Sequence, residues 1–210
     1  MSGDDSSPQP PAASGQGPVW GIDILWIPLG AGAHAARISG RVYEAVAATV
    51  GGRSRCDLYH SALQVYAPEG VYVIEQTPVP PIPRQTPRGV VARGSVGVRG
   101  AGRVRLFRYE IRRWLGGVIP DAEHAVGRPQ QVTEDPVAVQ RVLEVVPTVP
   151  TPVWGRDELR AGEMWNSNSV VSWALSRGGV DLTGVGPPKG GRAPGWQAGL
   201  VVAARQSRSL

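Results

Sequence analysis

Two alternating runs, Leu58 to Tyr66 and Val71 to Thr77, are separated only by Ala67-Pro-Glu-Gly70, and this pair constrains the fold more than any other stretch. Apolar and polar residues with a period of two put one face of a strand against a core. A four-residue turn then folds the second run back beside the first as a hairpin. A lone hairpin is marginal in water, so other elements must cover it. Ile22-Asp-Ile-Leu-Trp-Ile27, ending at Pro28, reads as a short strand, Val90 to Val98 as a weak one and Val104 to Trp114 as a firm one. Ala198 to Ala204 reads as an edge strand.

Three helices are expected. Ser39 can cap one through Arg41 to Val50, stopped by Gly51-Gly52. Asp135-Pro136 opens a second, with Val137, Gln140/Arg141, Val142 and Val145 at helical spacing until Pro147. The third runs from about Ser167 to Arg177 and ends at Gly178-Gly179. Pro78 to Pro87 holds five prolines and Val149-Pro-Thr-Pro152 two, so both are extended loops. The sum is an α+β fold, an antiparallel sheet packed against helices, with no internal repeat. Its expected limits are one domain over residues 19–204, a disordered tail over 1–18 and a flexible C-terminal tail over 205–210. Met1 to Pro18 is almost free of apolar residues and cannot offset its ordering entropy; it also lacks the basic start and apolar stretch of a secretory signal.

The net charge of +5 and pI near 10.0 suggest a nucleic-acid partner. The distribution argues against one. Twenty-one Arg stand against the single Lys189 in a chain rich in Ala, Gly, Pro and Val, a bias that a GC-rich genome produces. Only Arg99-Gly-Ala-Gly-Arg-Val-Arg105 through Arg112-Arg113 is dense, and it alternates with apolar residues as the solvent face of a strand would. One Phe and no basic motif interleaved with aromatics leave no stacking platform. The single Cys56 excludes an internal disulfide and every multi-cysteine metal site. No run approaches the roughly 20 apolar residues of a membrane span. These features set the expectation of a cytoplasmic protein without metal or cofactor. Gly30-Ala-Gly-Ala-His-Ala35 superficially resembles a dinucleotide loop, but its helix opens too late and no acid follows a next strand, so it and His34 read as a strand-to-helix connection.

The candidate site comes from Glu163-Met-Trp-Asn-Ser-Asn-Ser-Val-Val-Ser-Trp173, a polar turn opening into a helix. Asn166 or Asn168 can cap it, which puts Ser167 in or beside the first turn, where backbone N–H groups converge. A serine hydroxyl there still needs a positioned base before it can attack. Val170, Val171, Ala174 and Leu175 form an inward stripe, so Ser167 is expected to point toward the sheet. His60, on the hairpin face of Ala62 and Gln64, is the candidate base, and Glu75 on the paired strand the carboxylate that orients it. The competing reading makes Asn and Ser ordinary caps and His60 a core residue. Cys56 is a second candidate nucleophile at the strand entrance. Trp154, Trp165, Trp173 and Trp196 could wall an apolar pocket or fill a core, and Lys189-Gly-Gly-Arg192 could meet an anion or be a surface turn.

The order of histidine strand, second strand and Asn-nucleophile helix resembles the circularly permuted papain-like hydrolases, relatives of bacterial cell-wall peptidases and of the lecithin–retinol acyltransferases. The resemblance runs from Leu58 to about Leu175. It is carried by Leu58-Tyr-His60-Ser-Ala-Leu63, by Val73-Ile-Glu75 and by Asn166-Ser167-Asn168-Ser169-Val170, where the family has Asn-Cys-x-x-(Phe/Val). It implies amide, thioester or acyl-lipid substrates, no metal, and Ser167, His60 and Glu75 as the catalytic set. Ser167 in the place of cysteine implies either a serine-dependent variant or a pseudoenzyme whose cleft is kept for binding a small molecule, peptide or acyl group. Glu163-Met-Trp-Asn-Ser-Asn-Ser and Gly190-Gly-Arg-Ala-Pro-Gly-Trp196 also resemble uncharacterised actinobacterial proteins.

Overall fold

The computed structural model describes residues 20–29, 57–79, 89–119 and 121–208. The tail over 1–18, the Gly30–Ala35 loop with His34, the helix expected over Arg41–Val50, Cys56 and most of the Pro78–Pro87 loop lie outside these residues. The described elements form six strands: β1 (Gly21–Pro28), β2 (Tyr59–Ala67), β3 (Gly70–Pro78), β4 (Val90–Ser95), β5 (Arg108–Leu115) and β6 (Gln130–Thr133). Three helices accompany them: α1 (Pro136–Val145), α2 (Ser167–Arg177) and α3 (Trp196–Ser207). The strands make one sheet in the order β4-β5-β3-β2-β1-β6, every pair antiparallel.

Sequence dictates both faces of that sheet. In β1, Ile22, Ile24 and Trp26 fall in the large core beneath the helices, while Leu25 and Ile27 fall in a smaller core on the far side. Burial on both faces explains why this strand reads as a continuous apolar run. Ile74, Tyr109 and Ile111 extend the helix-side core; Ala62, Val73 and Ile119 build the far-side one, on which Ala122 and Ala125 also pack.

The helices start where their caps put them. Asp135 accepts from the Val137 and Ala138 N–H groups at 3.0 and 3.3 Å, and Pro136 holds the first helical position of α1 without losing a bonded N–H. Asn166 accepts from the Asn168 and Ser169 N–H groups, and Ser169 Oγ accepts from the Asn166 N–H at 3.1 Å, closing a capping box on α2. Gly179 ends it at φ +82°, a left-handed conformation that costs a glycine nothing.

Three expectations are corrected. Ala198–Ala204 is helical, not an edge strand: its buried residues are Ala198, Gly199, Val202 and Ala203, a helical stripe that a short apolar run does not distinguish from strand. The helix continues to Ser207, beyond the expected domain limit of 204. Gly199 makes its packing possible, since a Cβ there would land on Ser172 Oγ and the Ser169 carbonyl of α2. β5 begins at Arg108 rather than Val104, because Arg99–Arg103 and Arg105–Phe107 are 3₁₀ turns. The polar strand β6 had no apolar alternation to reveal it; it is recruited at the edge beside β1, where Trp26 Nε1 donates to Gln130 Oε1 at 3.0 Å.

Candidate functional site

β2 and β3 pair with each other only over Leu63–Ala67 and Gly70–Ile74. Beyond that, Tyr59–Ala62 keeps β1 as its partner and Glu75–Pro78 keeps β5. A β2 backbone without β3 beside it needs other hydrogen-bond partners. Leu58 O already accepts from Leu29 N on the β1 side, so the Tyr59 groups face the other way. Tyr59 N donates to Arg192 O at 2.8 Å and Tyr59 O accepts from Asn168 Nδ2 at 2.9 Å. The start of α2 and the loop before α3 therefore wedge into the place that a longer β3 ladder would occupy.

The polar turn supplies this wedge. Asn168, fully buried, accepts from Ser61 Oγ at 2.8 Å and donates from Nδ2 to both Tyr59 O and Pro194 O. Asn166 Nδ2 also reaches Pro194 O at 2.8 Å, and Ser169 Oγ donates to Gly195 O at 2.7 Å. Ser172 Oγ donates to Trp196 O, and Gly195 N donates to Glu163 Oε2, each at 2.8 Å. Nearly every polar side chain between Glu163 and Ser172 thus joins α2 to β2 or to the start of α3. Ser167 is the exception: it is buried at the first position of α2, and its hydroxyl makes no hydrogen bond among the described residues.

The sheet separates the expected trio. Ser61 pairs with Trp26 of the helix-side core and bonds α2, whereas His60 pairs with Ile27 of the far-side core. Successive residues of a strand point to opposite faces, so His60 points away from Ser167. Glu75 is on the far side too, where Arg112 Nη1 donates to its Oε1 at 3.1 Å and Arg112 Nη2 donates to Glu110 Oε2 at 3.0 Å. The expected convergence of Ser167 with His60 and Glu75 is therefore corrected: His60 and Glu75 share a face, and Ser167 is across the sheet from both. The alternation was read correctly, but His60, Ala62 and Gln64 were assigned to the helices, which cover Tyr59, Ser61, Leu63 and Val65 instead.

The far-side electrostatics follow from burial. Desolvation pulls the His60 imidazole down to about 4, against a smaller opposing pull from the Asp121 carboxylate. Desolvation also raises the Glu75 carboxyl; Arg112 opposes this and Asp121 adds to it. His60 is thus a neutral imidazole at pH 7, and Glu75 an ion-pair partner rather than its orienting acid. The other described histidine, His124, belongs to the segment covering the far side, so among the described residues no histidine stands on the Ser167 face.

Two helix-side groups were missed by the sequence reading. Asn168 was considered only as a cap, although two side-chain donors and an acceptor suit it to bridging three segments. Gln76, on the face of Ile74 and Ile111, is buried with both amide atoms unbonded, a state that ordinary interiors avoid. The only sequence signal for it is a Gln at an inward position of a strand. The tryptophans are core: Trp165 and Trp173 are fully buried, Trp196 lies against Trp26 with ring centroids 5.2 Å apart, and Trp154 meets Tyr109 edge-on at 5.8 Å. Lys189–Arg192 leads into the wedge through Arg192, whose N–H bonds Asp57 O at 2.9 Å. Among the described residues no cluster of His, Cys, Asp and Glu could hold a metal, and no helix is long and apolar enough to cross a membrane. No protein-family model matches the sequence, and comparison with curated proteins and with solved structures gives no match.

Proposed function

We propose that this chain is a non-catalytic binding module related in plan to the papain-like domains it resembles, and that it binds where α2 begins and β2 parts from β3. The observation that carries this reading is the separation of Ser167 from His60 by the sheet: a base must come within about 2.6–3.2 Å of the proton it removes. Glu75 is committed to Arg112. On one face Gln76 has an unbonded amide and Ser167 a hydroxyl with no hydrogen bond among the described residues, donors and acceptors suited to a small polar ligand carrying an amide or carboxyl group.

A fluorophosphonate probe tests the reading. The folded chain is expected to remain unlabelled at Ser167, and Ser167-dependent labelling would return the chain to the hydrolases or acyltransferases. The positive arm is a thermal-shift survey of short peptides and small carboxylates. A stabilising ligand should lose its effect in Gln76→Met, whose own melting temperature should not fall, because an unbonded buried amide is removed.

The hydrolase or acyltransferase reading keeps one favourable observation: Ser167 is the one hydroxyl or amide side chain at the α2 start without a hydrogen bond among the described residues. On that reading the base comes from a group other than His60, and the same labelling experiment decides it.

A further inference from the structure

Between β4 and β5 the chain leaves the sheet for Val96 to Phe107, held in two 3₁₀ turns. From the sequence, the basic residues between Arg99 and Arg113 are expected on the solvent face of a strand, alternating with apolar residues. Four of its apolar residues are exposed along with the arginines: Leu106 is 66% exposed, Val104 55%, Val98 52% and Phe107 44%. Isolated exposed apolar side chains need no explanation, but four within ten residues form a patch that water disfavours. Arg99, Arg103, Arg105 and Arg108 run through the same stretch, with no carboxylate between Val98 and Arg108. Glu158 meets Arg99 in a two-point contact at 3.1 and 3.0 Å, and Arg105 is engaged in an interaction of its own.

The backbone of the excursion is fixed although its apolar side chains face water. Trp154 N donates to Ser95 O at 2.9 Å, Gly97 N to Trp154 O at 3.2 Å and Arg156 Nε to Gly97 O at 2.6 Å. Ser95 Oγ donates to Arg99 O, and Arg108 donates to the Gly102 and Arg103 carbonyls. A contact surface held this way loses little further entropy on docking. Ser95 pairs with Arg108 and Pro78 with Tyr109, so the excursion leaves the sheet at the end where β2 begins and α2 starts.

We propose that Val98–Phe107 docks on an anionic lipid surface, with Val104, Leu106 and Phe107 entering the headgroup–acyl boundary and the arginines meeting the headgroups. Aliphatic tips framed by arginine are the composition of interfacial segments. Single-stranded nucleic acid would call for several stacking aromatics, and Phe107 is the only one in Val98–Phe107, while four exposed aliphatic and aromatic tips contribute nothing to phosphate contacts. A second copy using the same patch would set like charges against each other.

The test is co-sedimentation of the full chain with vesicles of phosphatidylcholine alone or mixed with phosphatidylserine. The chain should pellet with the mixed vesicles at low ionic strength and be released by salt. Arg103→Gln should weaken partitioning by roughly fivefold, since each basic residue near such a surface contributes about that much. Leu106→Ser with Phe107→Ser should abolish partitioning while leaving the thermal melt unchanged. Absence of binding to mixed vesicles, or binding indifferent to both variants, overturns the proposal. So does self-association in the absence of lipid that Leu106→Ser with Phe107→Ser removes, or binding to single-stranded DNA without binding to vesicles.

Discussion

The two faces of the sheet carry polar clusters of opposite character. Beneath α2 the cluster is neutral: Ser61, Asn166, Asn168, Ser169 and Ser172 bond one another or backbone carbonyls. On the far side it is charged, with Glu75, Arg112 and Glu110 in a chain that Arg93 extends to the surface at 3.3 Å. A neutral network is tolerated in a core once every member has a partner. Buried charges gain little net stability even when paired, yet cost heavily when one partner is lost. So the far-side cluster, which looks like chemistry, is accounted for as a chain of ion pairs in which only Arg112 Nε is buried without a partner, whereas Ser167 and the Gln76 amide stand on the helix side.

The largest effect should come from breaking the charged face. Arg112→Ala leaves Glu75 and Glu110 facing each other without their shared cation and should cost about 3–5 kcal/mol in urea denaturation. Adding Glu75→Leu to that background should recover part of the loss. If Arg112→Ala alone costs less than about 1 kcal/mol, the carboxylates have reached water and the face is not desolvated as described. Breaking the neutral face should cost less. Asn168→Ala orphans Tyr59 O and Ser61 Oγ, while Pro194 O keeps Asn166, for about 2–4 kcal/mol. An Asn168→Ala loss equal to that of Arg112→Ala would erase the distinction between the faces.

Most of the fold was legible because its signals are local. Asn166 and Asp135 marked helix starts, Gly178-Gly179 a helix end, and the turn at Ala67–Gly70 a hairpin, each through a backbone requirement that few residue types meet. The errors came where burial decides. Residues 198–204 suit either strand or helix until a neighbour is present, and the opening that Gly199 leaves for α2 makes it a helix. The site failed at one step: the period of β2 gives two sets of residues without saying which meets the helices. Tyr59, Leu63 and Val65 are bulkier and more apolar than His60, Ala62 and Gln64, and the larger core claimed the larger set. The long reach of Asn168 to Tyr59 and Pro194 depends on α2 lying in the β2–β3 gap, and nothing in the local sequence announces that gap.

A smaller effect should appear as a pH dependence confined to the far side. The folded state holds the His60 pKa near 4, whereas the unfolded chain has about 6.5, so the unfolded state takes up the proton first. The contribution of His60 is therefore complete above about pH 6.5 and is lost as the pH falls toward 4. Between pH 7 and pH 5 this should amount to about 1–2 kcal/mol. Glu75, raised in the folded state, acts in the opposite sense at lower pH, so the measurement that isolates His60 is the difference between the wild-type and His60→Gln profiles. Profiles that run parallel from pH 7 to pH 5 would place His60 in contact with solvent.

The smallest expected effect is a coupling close to zero, and it bears most directly on the separation of the faces. Ser167→Ala removes a hydroxyl without a hydrogen bond among the described residues, so alone it should change stability by no more than about 0.5 kcal/mol. His60→Ala removes a side chain packed on the far side with Ile27 and Ala62 as neighbours. Residues that share no partner add to within about 0.3–0.5 kcal/mol, whereas a hydrogen-bonded serine–histidine pair would couple by 0.5–3 kcal/mol. The cycle of wild type, both single variants and the double variant should therefore close to within about 0.5 kcal/mol at pH 7, where His60 is neutral. A larger coupling would mean that the two side chains meet despite the alternation of β2. It would reunite the trio that the sheet divides, and Ser167 would regain a base.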